Sequence, residues 1–398
     1  MTIEKQLKIQ KDLKTKLDDY KSKLIDIYNR ANTKSKKSRI MYDLMSFSEV
    51  YQNVFPDEPP LCWDTDKELI DLLLIQDNKS FNTFINHVNE NNELYSSISD
   101  NVMNVYSNIK YPFYKNRFLS EDKLFKLSKK EIIDIVRSFL NSYDEQMCES
   151  FSDKVDNLEL LYSEISEEEK DYEGFTNNID CLNVNFISLN LDLGNNINTA
   201  VTIVHENAHS FEFGLQYNKN ISFSCYDTPF SEVCPCFFEY AFLNYLKDNK
   251  IYLNDTNLCF DLYFKEVFTS MFEINLLTKM ENVQLCESGY LHFNDLEIGK
   301  YADLLKEKVN FYDLVELGDD IKVIDSYIYG LGRTFGVYMY EFYKNDPELF
   351  KRNLKNALCS YSIINDISAF KNVGITKEDL LSEVILKKEL KKHICEFK

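Results

Sequence analysis

Ten glycines and seven prolines in 398 residues leave the chain few places to turn. These two residues are the strongest local punctuators of structure, so their scarcity points to long uninterrupted helices rather than many short strands. Hydrophobic residues make up 44% and aromatics 14%, enough apolar surface for a large core and too much for a disordered chain. A chain of this length folds as one big domain or as two lobes.

Apolar spacing fills in the outline. Leu13, Leu17, Tyr20, Leu24 and Ile27 recur at alternating intervals of four and three, which predicts an amphipathic helix from residue 4 to about 30. "NTKSKKSR" (32–39) reads as a polar connection, and "VFPDEPPLCWDTD" (54–66) as a loop. "DKELIDLLLIQ" and the stretch around Phe81 to Val88 read as helix again, and residues 119–170 as helical throughout. The pattern changes near residue 183. In "NVNFISLNLDLGNN" one set of alternate positions is mostly apolar and the other mostly polar, which predicts a half-buried strand ending at a Gly-Asn turn. From 237 onward long helices return, the last beginning near Thr376 with Asp379 completing a partial capping box. The expected fold class is therefore mainly α, with a small sheet beside the helix that follows residue 195.

Charge excludes some partners. The formal net charge is −20, and phosphate binding needs a basic face, so a nucleic-acid partner is not expected. No window long enough to span a bilayer is free of charge, so no membrane partner is expected either. The first residues, "MTIEKQLKIQKDLKTKL", have no apolar core of a signal peptide, and ten cysteines then read as reduced thiols. Together these predict a cytoplasmic protein.

The chemistry concentrates in "TAVTIVHENAHSFEFG" (199–214). On a helix, residues four apart lie one above the other, so His205 and His209 can present their imidazoles to one metal ion. Glu206 lies about 100° around the helix, close enough to hold a water without binding the metal. Apolar flanks make this a buried helix, with Gly214 as its expected end. His87, His292 and His393 lie in stretches that read as helical, with no partner at ligand spacing.

A catalytic zinc takes three protein ligands and keeps one position open. Glu212 lies seven residues beyond His205, a rise of about 10 Å, too far to share one ion with both histidines. "YDTPFSEVCPCFFEYAF" (226–242) supplies a better third ligand in Glu232, which follows His209 by 23 residues, room for a loop and a second helix. Thr228 is the expected cap of that helix, Pro229 its first residue and Pro235 a bend within it. Glu239, two turns past Glu232, either accepts a ring N–H from a ligand histidine or forms a surface ion pair. Cys234 and Cys236 read as small buried cysteines in preference to ligands.

Three blocks, "FISLNLDLGN", "TIVHENAHSF" and "TPFSEVCPCFFEY", resemble the thimet oligopeptidase and oligoendopeptidase F family of zinc peptidases. Asn190 matches the asparagine of the family's strand, Ala208 stands where the family has glycine, and Glu232 and Glu239 hold its two glutamate positions. "YIYGLGRTFG" (327–336) is similar to the family's tyrosine- and glycine-rich helix, and "VGITKEDLLSEV" (373–384) to its C-terminal segment. Upstream of Tyr329 the family's histidine and tyrosine are missing from "GDDIKVIDS".

The resemblance implies a helical two-lobed zinc-peptidase fold, with a reduced N-terminal lobe over 1–100 and a catalytic domain over 101–398. It implies one Zn2+ ion on His205, His209 and Glu232, Glu206 as general base, and Tyr329, with Tyr327 in reserve, as donor to the oxyanion. Ser188 and Asn190 are the expected substrate-binding positions, on a strand that pairs with an oligopeptide substrate by strand addition. The expected activity is endopeptidase cleavage of oligopeptides, a dedicated peptide precursor among them. The alternative is a catalytically weakened zinc-containing protein that only binds peptides.

Overall fold

The structure is a computed structural model that describes residues 3–55, 82–109, 124–163, 173–190, 195–217, 228–279, 290–292, 320–360 and 367–394. Along the chain run α1 (Ile3–Arg30), α2 (Lys34–Val54), α3 (82–90), α4 (Asn92–Ile109), α5 (Lys129–Tyr143) and α6 (Glu145–Asp156). Strands β1 (Leu160–Ser163), β2 (Gly174–Ile179) and β3 (Val184–Asn190) follow, then α7 (Ile197–Tyr217), α8 (Val233–Asp248) and α9 (Leu253–Lys279). A short pair, β4 (Tyr290–His292) and β5 (Asp320–Lys322), precedes α10 (Val323–Asn345), α11 (Pro347–Cys359), α12 (Lys377–Leu380) and α13 (Glu383–Ile394). The protein is mainly helical with a small three-stranded sheet, as its sequence predicts. No described helix is long and apolar enough to cross a membrane. The chain divides into two compact units, one of residues 1–80 and 127–223, the other of 81–126 and 224–398.

In the first unit the sheet order is β1-β3-β2, with β3 parallel to β1 and antiparallel to β2. Leu17 and Leu24 of α1, at the spacing that predicts this helix, meet Phe47 and Val50 of α2 and Phe186 of β3 in one apolar cluster. The Phe186 ring stands edge-on to Tyr20 at 5.8 Å and to Phe47 at 6.3 Å. Helix α7 packs on β2 and β3 as well. A Cβ on Gly174 of β2 would lie 3.0 Å from the Thr202 side chain, so glycine there lets helix and strand approach. With neighbours on both edges, β3 buries residues 185–190 completely rather than showing the half-exposed face its alternation predicts. Asn185, Ser188 and Asn190 are interior polar residues, not solvent-facing ones.

Other expectations shift for local reasons. Within the 119–170 stretch, 160–163 form a strand while 119–123 and 164–170 lie outside the described residues, and His292 lies on β4, not on a helix. Most of "NTKSKKSR" is the start of α2, because Thr33 accepts a hydrogen bond from the Lys36 N–H and caps it. Thr376 and Asp379 form a full capping box, yet α12 lasts one turn before the last helix starts at Glu383. The predicted loop at 54–66 (beyond Phe55), the helix in "DKELIDLLLIQ" and the Gly-Asn turn after β3 lie outside the described residues.

In the second unit α8 is buried on every side from Val233 to Asn244, as a helix apolar all round must be. Helix α10 packs against α8 and α9, and α4 against α9. Tyr240 lies 5.2 Å from Tyr263, and Phe237 lies 5.0 Å from Phe350. Between α9 and α10, Ser326 donates a 2.6 Å hydrogen bond to Glu273, and burial raises the pKa of that carboxyl from 4.5 to about 7. The folded state thus holds this proton more tightly than the unfolded chain. Its contribution to stability is complete below about pH 4.5 and is lost as pH rises through 7. Glu273→Gln is expected to flatten the fall of Tm between those values, and an unchanged slope would assign the pH dependence to another group.

Candidate active site

In the first unit, α7 carries the two histidines as their spacing requires. The rings of His205 and His209 lie 5.0 Å apart at 74°. His205 is buried, while His209 is half-buried and stacks on Phe213 at 6.2 Å. A Glu212 carboxylate oxygen lies 3.7 Å from Nδ1 of His209, so Glu212 sits against the ring rather than serving as a distant ligand. Glu206, 5% exposed, receives a 2.7 Å hydrogen bond on its carboxylate from Thr176 of β2, whose hydroxyl also lies 2.9 Å from the Glu206 carbonyl. Nothing in the sequence marks Thr176, because "GFTNNI" lacks an apolar alternation. Helix α7 does not end at Gly214 but runs on to Tyr217, with open space where a Cβ at 214 would stand.

In the second unit, residues 229–232 form turns and α8 begins at Val233 with Glu232 as its N-cap. Thr228 accepts from the Phe230 N–H within this turn instead of capping the helix. The Glu232 carboxylate makes no capping bond and is 7% exposed, at a helix N-terminus that favours negative charge. Pro235 is the third residue of α8, in the first turn where the helix leaves its N–H groups unbonded, so proline costs no helical hydrogen bond there. Cys234 and Cys236 are buried, as predicted. Burial, and next the Glu239 carboxylate, push the Cys236 thiol well above its usual range. Glu239 is paired with Nε of Arg333 at 3.8 Å, in a buried setting and not at the surface.

The two tyrosines differ. Tyr327 is 2% exposed and stands edge-on to Phe84 and Tyr95, which makes it a core residue. Tyr329 is half-buried under the Arg333 guanidinium, 5.0 Å from the ring centre. Gly332 and Gly336 bring α10 against the start of α8. A Cβ at 332 would lie 3.0 Å from the Glu232 carbonyl, and one at 336 would lie 2.9 Å from that of Cys236. The "GLGRTFG" run is thus a close-approach seam. Ser188 and Asn190 pair with β1, and Ser188 with β2 as well, while the Asn190 N–H donates to the Glu173 carbonyl. A substrate strand therefore finds no free edge at those two positions.

No protein-family profile matches the chain, and neither does any curated protein. Among solved structures it is similar to a candidate peptidase from Chlamydophila abortus, at 12% identity and TM-score 0.50 over 96% of this chain. It is also similar to a candidate oligoendopeptidase F from Bacillus anthracis str. Ames, at 10% identity and TM-score 0.46 over 91% of this chain. The chain spans 62% of the length of each. At these identities the likeness shows a fold alone, and it is the mainly helical one that the sequence leads one to expect.

Proposed function

We propose that this protein is a zinc-dependent endopeptidase that hydrolyses peptide bonds in oligopeptides. The observation that carries the proposal is the α7 helix, where His205 and His209 stand ring to ring and Glu206 is held between them in sequence by Thr176. His205, His209 and Glu232 would hold the ion, and their donors fit it: two imidazoles and a carboxylate make a three-ligand set that leaves one position open. When bound, zinc supplies Lewis acidity toward water and the scissile carbonyl.

The remaining chemistry belongs to the chain. Glu206 takes a proton from the attacking water and returns it to the leaving amine, with the Thr176 hydroxyl fixing the carboxylate's direction. Tyr329 donates to the oxyanion; Tyr327, packed in the core, supports the helix behind it. Every residue given a chemical role falls within 101–398, the part proposed as catalytic. The ten cysteines, read as reduced thiols, suit a cytoplasmic setting.

Elemental analysis of the purified protein, with a digest of a peptide library, tests the reading. The expected result is about one zinc per chain and cleavage that chelation abolishes. Zinc without cleavage would favour the peptide-binding alternative, and absence of zinc would end the metallopeptidase reading. Substrate size gives a second expectation. His205, Glu206 and Glu232 are each under a tenth exposed, beyond the reach of a folded surface. Flexible peptides should be cut while a compact folded domain stays intact under the same conditions, as gel analysis would read directly.

A further inference from the structure

We propose that Arg333 is a positioning residue that sets the Tyr329 hydroxyl for the reaction and ties it to the start of α8; this rests on the peptidase reading above. Arg333 sits on the same face of α10 as Tyr329, one turn later, with its guanidinium over that ring at 5.0 Å. One nitrogen, Nη2, meets Glu266 of α9 at 2.5 Å, and Nε faces Glu239 of α8 at 3.8 Å. The backbone is held too, since the Tyr263 hydroxyl lies 2.8 Å from the Arg333 carbonyl and 3.2 Å from that of Cys236. One side chain therefore links three helices and roofs a half-buried tyrosine.

The geometry suits arginine in particular. A planar guanidinium can stack on a ring and address two carboxylates from its edge, which the point charge of lysine cannot do. A buried cation in this position needs a buried carboxylate beside it, and Glu239 needs a cation, so Arg333 and Glu239 offset one another while Glu266 holds the guanidinium from the more exposed side. Small displacements near reacting atoms are costly in rate: about 1 Å can cost on the order of 10²-fold. Holding Tyr329 still is thus a function in itself. Glu239 has a role on this reading as well, as the inner anchor of Arg333.

A double-mutant cycle on the full chain with zinc present tests this. Arg333→Lys should lower kcat on the order of 10-fold or more with KM nearly unmoved, and should add nothing when Tyr329 is already phenylalanine. Zinc affinity by chelator competition should stay within about 3-fold, since the ligands are untouched by design. In the metal-free protein, the Tyr329 ring resonance, assigned by its absence in Tyr329→Phe, should shift in Arg333→Lys. Where Arg333→Lys fails to fold, Glu266→Gln removes the outer anchor at a side chain 47% exposed and should give a smaller kcat loss with the same dependence on Tyr329. Effects that multiply with Tyr329→Phe, a large fall in zinc affinity, or an unmoved resonance would each overturn the positioning role. An unimpaired Tyr329→Phe is a different failure: it removes the oxyanion role of Tyr329 in the proposed function, and this inference with it.

Discussion

Glu206→Gln retains close to full zinc and loses most of its peptide turnover; this is the expected result of separating proton transfer from metal binding. Glutamine keeps the size of the side chain and an oxygen that accepts the Thr176 hydrogen bond, now 2.7 Å long. It cannot take a proton near neutral pH. Loss of a general base costs about 10²- to 10⁴-fold. Glu232→Gln should behave otherwise. It removes a charged donor at the N-cap of α8, so zinc affinity falls and turnover falls with it, recoverable in part by added zinc. Zinc content and peptide cleavage, measured together on both variants, read the difference. Native-rate cleavage by zinc-loaded Glu206→Gln would show that "HENAH" does not act as a hydrolytic centre.

The helices were legible wherever one face alone decides burial. Leu17 and Leu24 fall at the centre of the first unit's apolar cluster, as their four-and-three spacing requires. The sheet was legible only in part. β3 has an alternation to read, but β2 is "GFTNNI" and β1 is four residues long, and neither carries a period. Without those neighbours β3 looks like a strand with one wet face, whereas in the fold it has a partner on each side.

The candidate site divides the same way. His205, Glu206 and His209 follow from helical geometry, because three positions on one helix need no knowledge of the fold. The group that holds Glu206 comes from elsewhere in the chain, Thr176 of β2, and in the second unit Arg333 finds Glu266 and Tyr263 on another helix. Long-range partners leave no local trace. Pro235 shows the opposite error, where a local rule was read too strongly. Proline breaks a helix interior, but α8 starts four residues later than Pro229 suggested, and that places Pro235 in the tolerant first turn.

Tyr329→Phe should lower kcat on the order of 10²-fold while KM changes little. The ring would remain under Arg333, since its packing at 5.0 Å does not need the hydroxyl. Only the donor is lost, and an interaction made chiefly in the transition state appears in kcat rather than in substrate binding. Tyr327→Phe is the control that packing selects: at 2% exposed, with Phe84 and Tyr95 against it, this side chain belongs to the core. It should leave kcat within about 3-fold of the native rate, with any effect appearing in thermal stability. The chain lacks the histidine and tyrosine that the resembling family carries before this position, so Tyr329 has fewer companions and its loss should be felt in full. Equal turnover by both variants would take the oxyanion donor away from α10, and a loss confined to Tyr327→Phe would move it two residues back.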